Sequence, residues 1–410
     1  MQVAIIRKEM TPNTPMYMSG HAIRTEKHKG VLDPLYCTVL LIESDETVCF
    51  VTHDVVMVDE AYTIDLRKNI AEALHIPFEH VFVSFLHNHS GPEFTELNVF
   101  TKTREFASDL EYVQWVKEMS VDLALQAKEQ LQPVCASFGK VTIDGYYGNR
   151  NGIDIPCDKE ITIVKFENSQ QTIASFMNFP CHGTVLGSQN LLLSADLPGA
   201  IRAQLEKAYD TTMCVFIGAA GDMGNRQYRQ ESSPKELDRT SAGIVKQILE
   251  KMEYQPISLE GLQVYPYEYV IDYVRSMEDT KAEIMKIEQE LASDISYSRR
   301  QLLTSGLAIQ KGHLLEDAHV VVSLKGAIID TEDAMFVTIP AELFNRFGLE
   351  MKQAVNKQVF VFGYTNYSIG YMVEESEWGK NYESMASSIQ KGDPEKYTKF
   401  IVERMREILG

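Results

Sequence analysis

Val81-Phe82-Val83-Ser84-Phe85-Leu86-His87-Asn88-His89-Ser90-Gly91-Pro92 carries both the fold and the chemistry of this chain. Its first six residues, five of them apolar, read as a buried strand, and Ser90-Gly91-Pro92 ends that strand in a turn. Continuous apolar strands belong to sheets covered on both faces, so the two histidines stand where an α/β sheet opens to a ligand. Alternate strand residues share a face, which lets the rings of His87 and His89 reach one site. Neutral imidazole is a common metal ligand and also moves protons near neutral pH. One element can therefore supply a ligand and a base.

Further apolar runs at 37–42, 48–52, 161–166, 173–179, 214–217, 336–339 and 359–363 read as strands. Helical patterns lie between them at 62–74, 107–130, 197–207, 234–252 and 342–355, the fourth opened by the N-cap Ser233 and a proline in its first turn. The expected fold is α/β, a mixed β-sheet core covered by helices. No repeat, low-complexity tract or long Pro/Gly/Ser linker divides the chain, so residues 1–410 are expected to form one catalytic domain. One segment stands apart at about 276–304, where Met277, Ile284, Ile287, Leu291 and Ile295 follow helical spacing among charges. It is expected to be one long, partly exposed helical insertion, either surface cover or a lid or dimer arm.

The 410 residues are 44% hydrophobic, ample for a large core, and carry a formal charge of −19. That charge repels phosphate backbones and anionic bilayers, which disfavours a nucleic-acid role. No apolar segment approaches the roughly 20 residues that span a bilayer, so stable membrane insertion is not expected. At the N-terminus Arg7 and Lys8 follow a short apolar run, the reverse of a secretory signal. The six cysteines are scattered singly, without CxxC spacing, as reduced thiols in a cytoplasmic protein would be. A homo-oligomer is compatible with all of this.

Lone histidines are mostly surface or core residues, and His21, His28, His75, His80, His313 and His319 are read that way. His182, in Phe179-Pro180-Cys181-His182-Gly183-Thr184, repeats the strand-end placement of His87. Two such ends can converge at the carboxyl edge of a sheet. Glu342, in Pro340-Ala341-Glu342, follows a strand, although an acid opening a helix is also an ordinary surface device. The segment Gly363–Tyr371 is rich in tyrosine, which more often packs than binds. Gly218–Asn225 is a glycine-rich turn whose amides around Gly221 can hold an oxyanion, and it lacks the lysine of a phosphate-binding loop. Arg150 in a tight loop can bind a carboxylate or polarise a carbonyl.

Taken in order, these motifs resemble the N-terminal catalytic domain of the neutral, non-lysosomal ceramidases. The similar segments are Asp33-Pro34-Leu35-Tyr36, His87–Pro92, Asn149-Arg150, Asn178–Gly187, Ser194–Gly199, Gly218–Asn225, Pro340-Ala341-Glu342, and the tyrosine segment ending at Tyr371 with Glu374-Glu375 beyond. The resemblance implies a zinc amidase with its metal site at the C-terminal ends of strands. It implies one ion per chain, held by His87, His182, Glu342 and a tyrosine placed at Tyr371, with Tyr367 an adjacent competitor. His89 would then be the general base and Arg150 the group that holds the substrate carbonyl or an anionic neighbour, with Gly221, Asp222 and Gly224 on the substrate or oxyanion side. Gly224 stands where the family has a functional serine, and a chain that stops at Gly410 is expected to lack the family's C-terminal β-sandwich domain.

The expected function is zinc-dependent hydrolysis of an amide bond in a small soluble substrate, with metal-activated water as nucleophile. True ceramidase activity is one alternative. A catalytically lapsed metal- or ligand-binding module is the other, argued against by His89 and Arg150, which have no duty in a purely structural zinc site.

Overall fold

Phenylalanine decides how the sheets are arranged. In the computed structural model, which describes residues 1–98 and 103–410, three sheets each turn one face toward a shared core containing Phe50, Phe82, Phe176, Phe216, Phe336, Phe360 and Phe362. Phe216 of the second sheet stacks on Phe362 of the third with ring centroids 4.0 Å apart, and Phe50 of the first meets Phe216 edge-on at 5.3 Å. Such pairs add roughly 0.5–1.5 kcal/mol each beyond their buried area, so the rings orient the sheets as well as fill space.

The first sheet runs in the order Val81–Phe85, Thr47–His53, Tyr36–Glu43, Gln2–Glu9 and Gln132–Pro133. The second runs Met213–Ile217, Thr172–Phe179, Glu160–Glu167, Cys135–Thr142 and Tyr254–Ile257, and the third Gln263–Val274, His319–Asp330, Ala334–Thr338 and Gln358–Phe362. Alternation along each strand sends the other residues outward under helices. Helices Glu60–Leu74 and Leu110–Glu129 cover the first sheet through Leu66, Ile70, Leu123 and Ala127. Asp196–Tyr209 and Pro234–Lys251 cover the second through Ile201, Leu205, Ile244 and Ile248, while Asn345–Lys352 and Asp393–Leu409 cover the third. This is the expected mixed α/β core clothed in helices.

Each sheet contains one parallel pair: Thr47–His53 with Val81–Phe85, Thr172–Phe179 with Met213–Ile217, and Ala334–Thr338 with Gln358–Phe362. Their C-terminal ends are tied together. The Asn178 amide donates to the carbonyls of Phe216 (3.2 Å) and Val361 (3.0 Å), the Gly363 amide donates to Ile217 (2.9 Å), and the Phe85 amide donates to Tyr364 (3.2 Å). Gly363 has to be glycine here, because a Cβ would lie 2.7 Å from the Gly218 carbonyl oxygen. The sheets thus deliver three strand ends to one place.

The expected strands appear within two residues of their bounds, and the five helices within three. The fifth differs in what occupies its expected start. Glu342–Leu343 forms a short strand parallel to Tyr371–Met372, and the helix begins only at Asn345. Glu342 is therefore not a helix-opening acid. The segment at 276–304 is also not one helix: Met277–Leu291 and Tyr297–His313 are two, joined where the Ser296 hydroxyl caps the second by accepting from the Arg299 amide. The pair is inserted between the two strands of a long antiparallel ribbon, Gln263–Val274 with His319–Asp330, and packs Ile287 and Leu303 with Met385. Tyrosines and charges break up the first strand of that ribbon, and the apolar runs of the second are only three residues long, too short to announce it.

A buried ion pair joins the first sheet to the helix over the second. Arg202 donates to both carboxylate oxygens of Asp54, at 2.8 and 2.6 Å, with both side chains inside the protein. Removing one partner strands the other charge, so Asp54→Ala should lower the unfolding free energy by about 3–5 kcal/mol in urea denaturation; a loss under 1 kcal/mol would contradict this tie. His53 next to it is fully buried, and desolvation pushes its pKa from 6.5 down to about 3. The folded value lies below the unfolded one, so the unfolded chain binds the proton first and stability falls as pH drops from about 6.5 toward 3. Denaturation midpoints across that window should fall less steeply in His53→Gln than in the wild type.

Candidate metal centre

Strand Val81–Phe85 stops two residues before His87, which takes up a left-handed backbone at φ 51°. The Leu86 and His87 amides donate to the His53 and Val55 carbonyls at 3.0 Å each, so the turn is anchored on the neighbouring strand end. His87 and His89 do share one site, with ring centroids 5.0 Å apart, but the turn brings them together rather than the alternation of a strand. His182 arrives from the end of Thr172–Phe179, and its ring centroid lies 4.7 Å from that of His87. Glu342 arrives from the third sheet, its amide donating to the Gly370 carbonyl at 2.9 Å.

Each imidazole is fixed by its outer nitrogen. Nδ1–H donates to the Val56 carbonyl from His87 (3.0 Å), to the Ala220 carbonyl from His182 (2.7 Å), and to the Gly20 carbonyl from His89 (2.9 Å). A neutral ring that spends its proton at Nδ1 presents a bare lone pair at Nε2. His87 Nε2 and His182 Nε2 are 3.1 Å apart, and each lies 3.2 Å from Glu342 Oε2. Two lone pairs and a carboxylate oxygen at these separations repel unless a positive charge lies among them. The triangle is close to the ~3.3 Å spacing of tetrahedral ligands around an ion about 2.0–2.1 Å away. His89 Nε2 is 3.4 Å from that of His87, and one ligand atom from each of His87, His89 and His182 lies within 4.8 Å of the others. The cluster can hold a metal ion.

The charges agree with the geometry. Burial opposes ionisation of Glu342, but His87 and His182 beside it hold its carboxyl well below the usual carboxylate range. Burial and the neighbouring rings, His87 first, push His89 well below 6.5. Burial brings His182 to about 3.

Arg150 follows the two-residue pairing of Gly148–Asn149 with Met223–Gly224, and its amide donates to the Asp222 carbonyl at 2.8 Å. Its Nε donates to Glu383 at 2.5 Å and an Nη donates to the Tyr371 hydroxyl at 3.0 Å. Burial works against the charge, yet Glu383 and then Tyr371 more than offset it, so the guanidinium stays protonated. Tyr371 in turn lies nearly parallel to His182 at 6.4 Å. Tyr367 points away: its hydroxyl donates to the Ser323 carbonyl and accepts from the Lys325 amide at 2.8 Å.

The glycine-rich turn is used differently from the sequence reading. The Gly221 amide donates to the Leu343 carbonyl at 2.8 Å, so it is not available to an oxyanion. Asp222 accepts from the Asn149 side chain (2.6 Å) and the Asn345 amide (2.7 Å), which makes it a buried tie between the Arg150 loop and the segment after Glu342 rather than a substrate contact. Burial pushes its carboxyl up to about 6. At Gly224 an added Cβ would meet only the Arg150 stem, at 3.6 Å, so a side chain would fit there and glycine is not sterically required.

Three residues near the cluster had no sequence signal pointing to them. Tyr364 packs its ring 4.2 Å from that of His87, and its left-handed φ of 53° is invisible in sequence. Gly20 holds His89 and has φ 95°; a Cβ there would fall 2.6 Å from the His89 ring. Glu383, the partner of Arg150, comes from the short helix Tyr382–Met385.

A family model described as neutral/alkaline non-lysosomal ceramidase, N-terminal, matches residues 7–221, just over half of the chain. Among solved structures, neutral ceramidase from Pseudomonas aeruginosa is 14% identical with a TM-score of 0.72, covering 98% of this chain and 73% of that one. A ceramidase complexed with C2 is 14% identical with a TM-score of 0.73, covering 98% of this chain and 74% of that one. At such identity the likeness speaks for the fold. No curated protein matches.

Because Asp222 satisfies donors on two loops, Asp222→Ala should cost about 3–6 kcal/mol, the sum of two buried hydrogen bonds to a carboxylate. Urea denaturation measures this, and a change within 0.5 kcal/mol, taken as roughly the scatter of a surface substitution, would contradict the role.

Proposed function

The chain belongs to the neutral/alkaline non-lysosomal ceramidase family, and from that membership we propose that it is a zinc-dependent hydrolase of an amide bond in a small soluble substrate. The observation that carries the reading is the convergence of His87 Nε2, His182 Nε2 and Glu342 Oε2 at 3.1–3.2 Å, with every outer imidazole nitrogen already committed to a carbonyl. These three residues would hold the ion, with the Tyr371 oxygen completing the set. Two imidazoles with oxygen donors suit zinc, which when bound would polarise the amide oxygen and lower the pKa of a water to about 7.

The protein's own groups divide the remaining work. His89 is neutral, oriented by the Gly20 carbonyl, and only partly buried, so its Nε2 can accept a proton from the nucleophile and return it to the leaving amine. Arg150, held rigid by Glu383, keeps a permanent positive charge beside Tyr371 and can draw the substrate carbonyl or an anionic neighbour into place. Gly224 brings no hydroxyl to the substrate side, which favours a polar substrate over ceramide. The six cysteines are unpaired and most are buried, in keeping with a reducing cytoplasm. Among the described residues no helix is long and apolar enough to cross a membrane.

Metal analysis of purified protein should find about one zinc per chain and far less in His87→Ala, whereas His89→Ala should keep the metal and lose turnover by roughly 10²–10⁴-fold on an amide panel. Equal metal loss in both variants would make His89 a ligand instead of a base. Zinc uptake with no hydrolysis of any amide or ester would favour a binding module, and turnover of detergent-dispersed ceramide would replace the small soluble substrate with the lipid. A wild-type protein that takes up no metal contradicts the reading.

A further inference from the structure

Tyr364 is fully buried against the centre, and its hydroxyl has no hydrogen-bond partner among the described residues. Its ring lies 4.2 Å from that of His87, tilted by 33°, and meets His182 edge-on at 6.1 Å. The backbone is pinned from two sides: the Tyr364 amide donates to the Ala341 carbonyl (3.3 Å), beside Glu342, and its carbonyl accepts from the Phe85 amide (3.2 Å), two residues before His87. Burial first, then the Glu342 carboxylate and Tyr371, push its hydroxyl well above the usual tyrosine range, so it keeps its proton. The hydroxyl therefore belongs to the donor side of the cluster.

An unpartnered buried hydroxyl is destabilising, and phenylalanine would pack the same ring without that penalty. Two neighbouring donors are already engaged, the Gly221 amide with Leu343 and the Asn88 side-chain amide with the carbonyls of Asp54 and Ser194. The Tyr364 proton is free.

We propose that Tyr364 is a catalytic residue whose hydroxyl donates a hydrogen bond to the carbonyl oxygen of the substrate amide at the His87–His182–Glu342 cluster. It keeps its proton throughout and stabilises the negative charge that builds on that oxygen as the carbonyl carbon is attacked. The site would then favour substrates with an unhindered carbonyl acceptor on the Tyr364 side. This role rests on the metal-dependent amide hydrolysis proposed above.

The test compares zinc-loaded wild type with Tyr364→Phe, which preserves the ring. The variant should bind zinc in the same amount and melt at the same or a higher temperature. It should bind acetohydroxamate, a small carbonyl ligand for zinc, about tenfold more weakly by calorimetry. On whichever amide the wild type turns over, kcat should fall roughly 10–100-fold with little change in KM. Unchanged acetohydroxamate affinity and kcat would reduce Tyr364 to a ring packed against His87 and overturn the proposal. Lost zinc, or a lower melting temperature, would show that the hydroxyl serves the ion or the fold, and either result overturns the proposal. A wild type that takes up no zinc sinks the parent reading, an outcome separate from any effect of the variant.

Discussion

Two imidazole lone pairs and a carboxylate oxygen held 3.1–3.2 Å from one another are the constraint on which this structure turns. Nothing about a hydrophobic core asks for that arrangement, and left alone it is repulsive. It persists because each partner is clamped from behind, the rings by carbonyls of Val56 and Ala220 and the acid by its strand pairing with Tyr371. Those clamps lie on different sheets. The sheets in turn keep their relation through the shared phenylalanine core and the hydrogen bonds of Asn178 and Gly363 across their ends. A cation among the three donors would turn the local repulsion into attraction, and the folding energy spent on the clamps would then become affinity for that ion.

Backbone strain gathers at the same place. His87, Asp196, Tyr364 and Asn366 all have positive φ, although none is glycine. Each costs about 1–3 kcal/mol and survives only where the surroundings leave no alternative. For Asp196 the surroundings are the amides of Val185, Leu186 and Leu197, all donating to its carboxylate and so shaping the loop that follows His182. For Asn366 they include the Val83 amide, which donates to its side chain. The loops after the strands are thus held by side chains that accept backbone hydrogen bonds, and Asp222 does the same between the Arg150 loop and the Glu342 segment.

Charge is handled in the same local way. In a chain with a net charge of −19, the centre keeps a buried arginine, matched by Glu383 and shared with the Tyr371 hydroxyl. Breaking such a pair costs far more than exposed pairs contribute, because the remaining charge has no water to turn to. The rigidity this gives Arg150 would suit the substrate-holding role proposed for it.

The sequence by itself determined the α/β class, most strand and helix positions, and the histidine-bearing strand ends, because apolar runs of fixed period and Ser-Gly-Pro punctuation are local properties of the chain. It also ordered His87, Arg150, His182, Glu342 and Tyr371 through motifs that resemble a known family. Tertiary structure alone decided what those residues touch. The second helix of the 276–304 segment and the ribbon that carries it escaped because their apolar positions are diluted by charge and tyrosine. Glu342 looked like a helix-opening acid until its pairing with Tyr371, 29 positions later in the numbering, made it a strand residue. The Gly221 amide, free in a sequence reading, is consumed by Leu343, and the duties of Tyr364, Gly20 and Glu383 depend on contacts between segments far apart in the chain. Periodicity reports which face a residue turns inward; only the packing of three sheets reports which lone pair, proton or carboxylate it meets there.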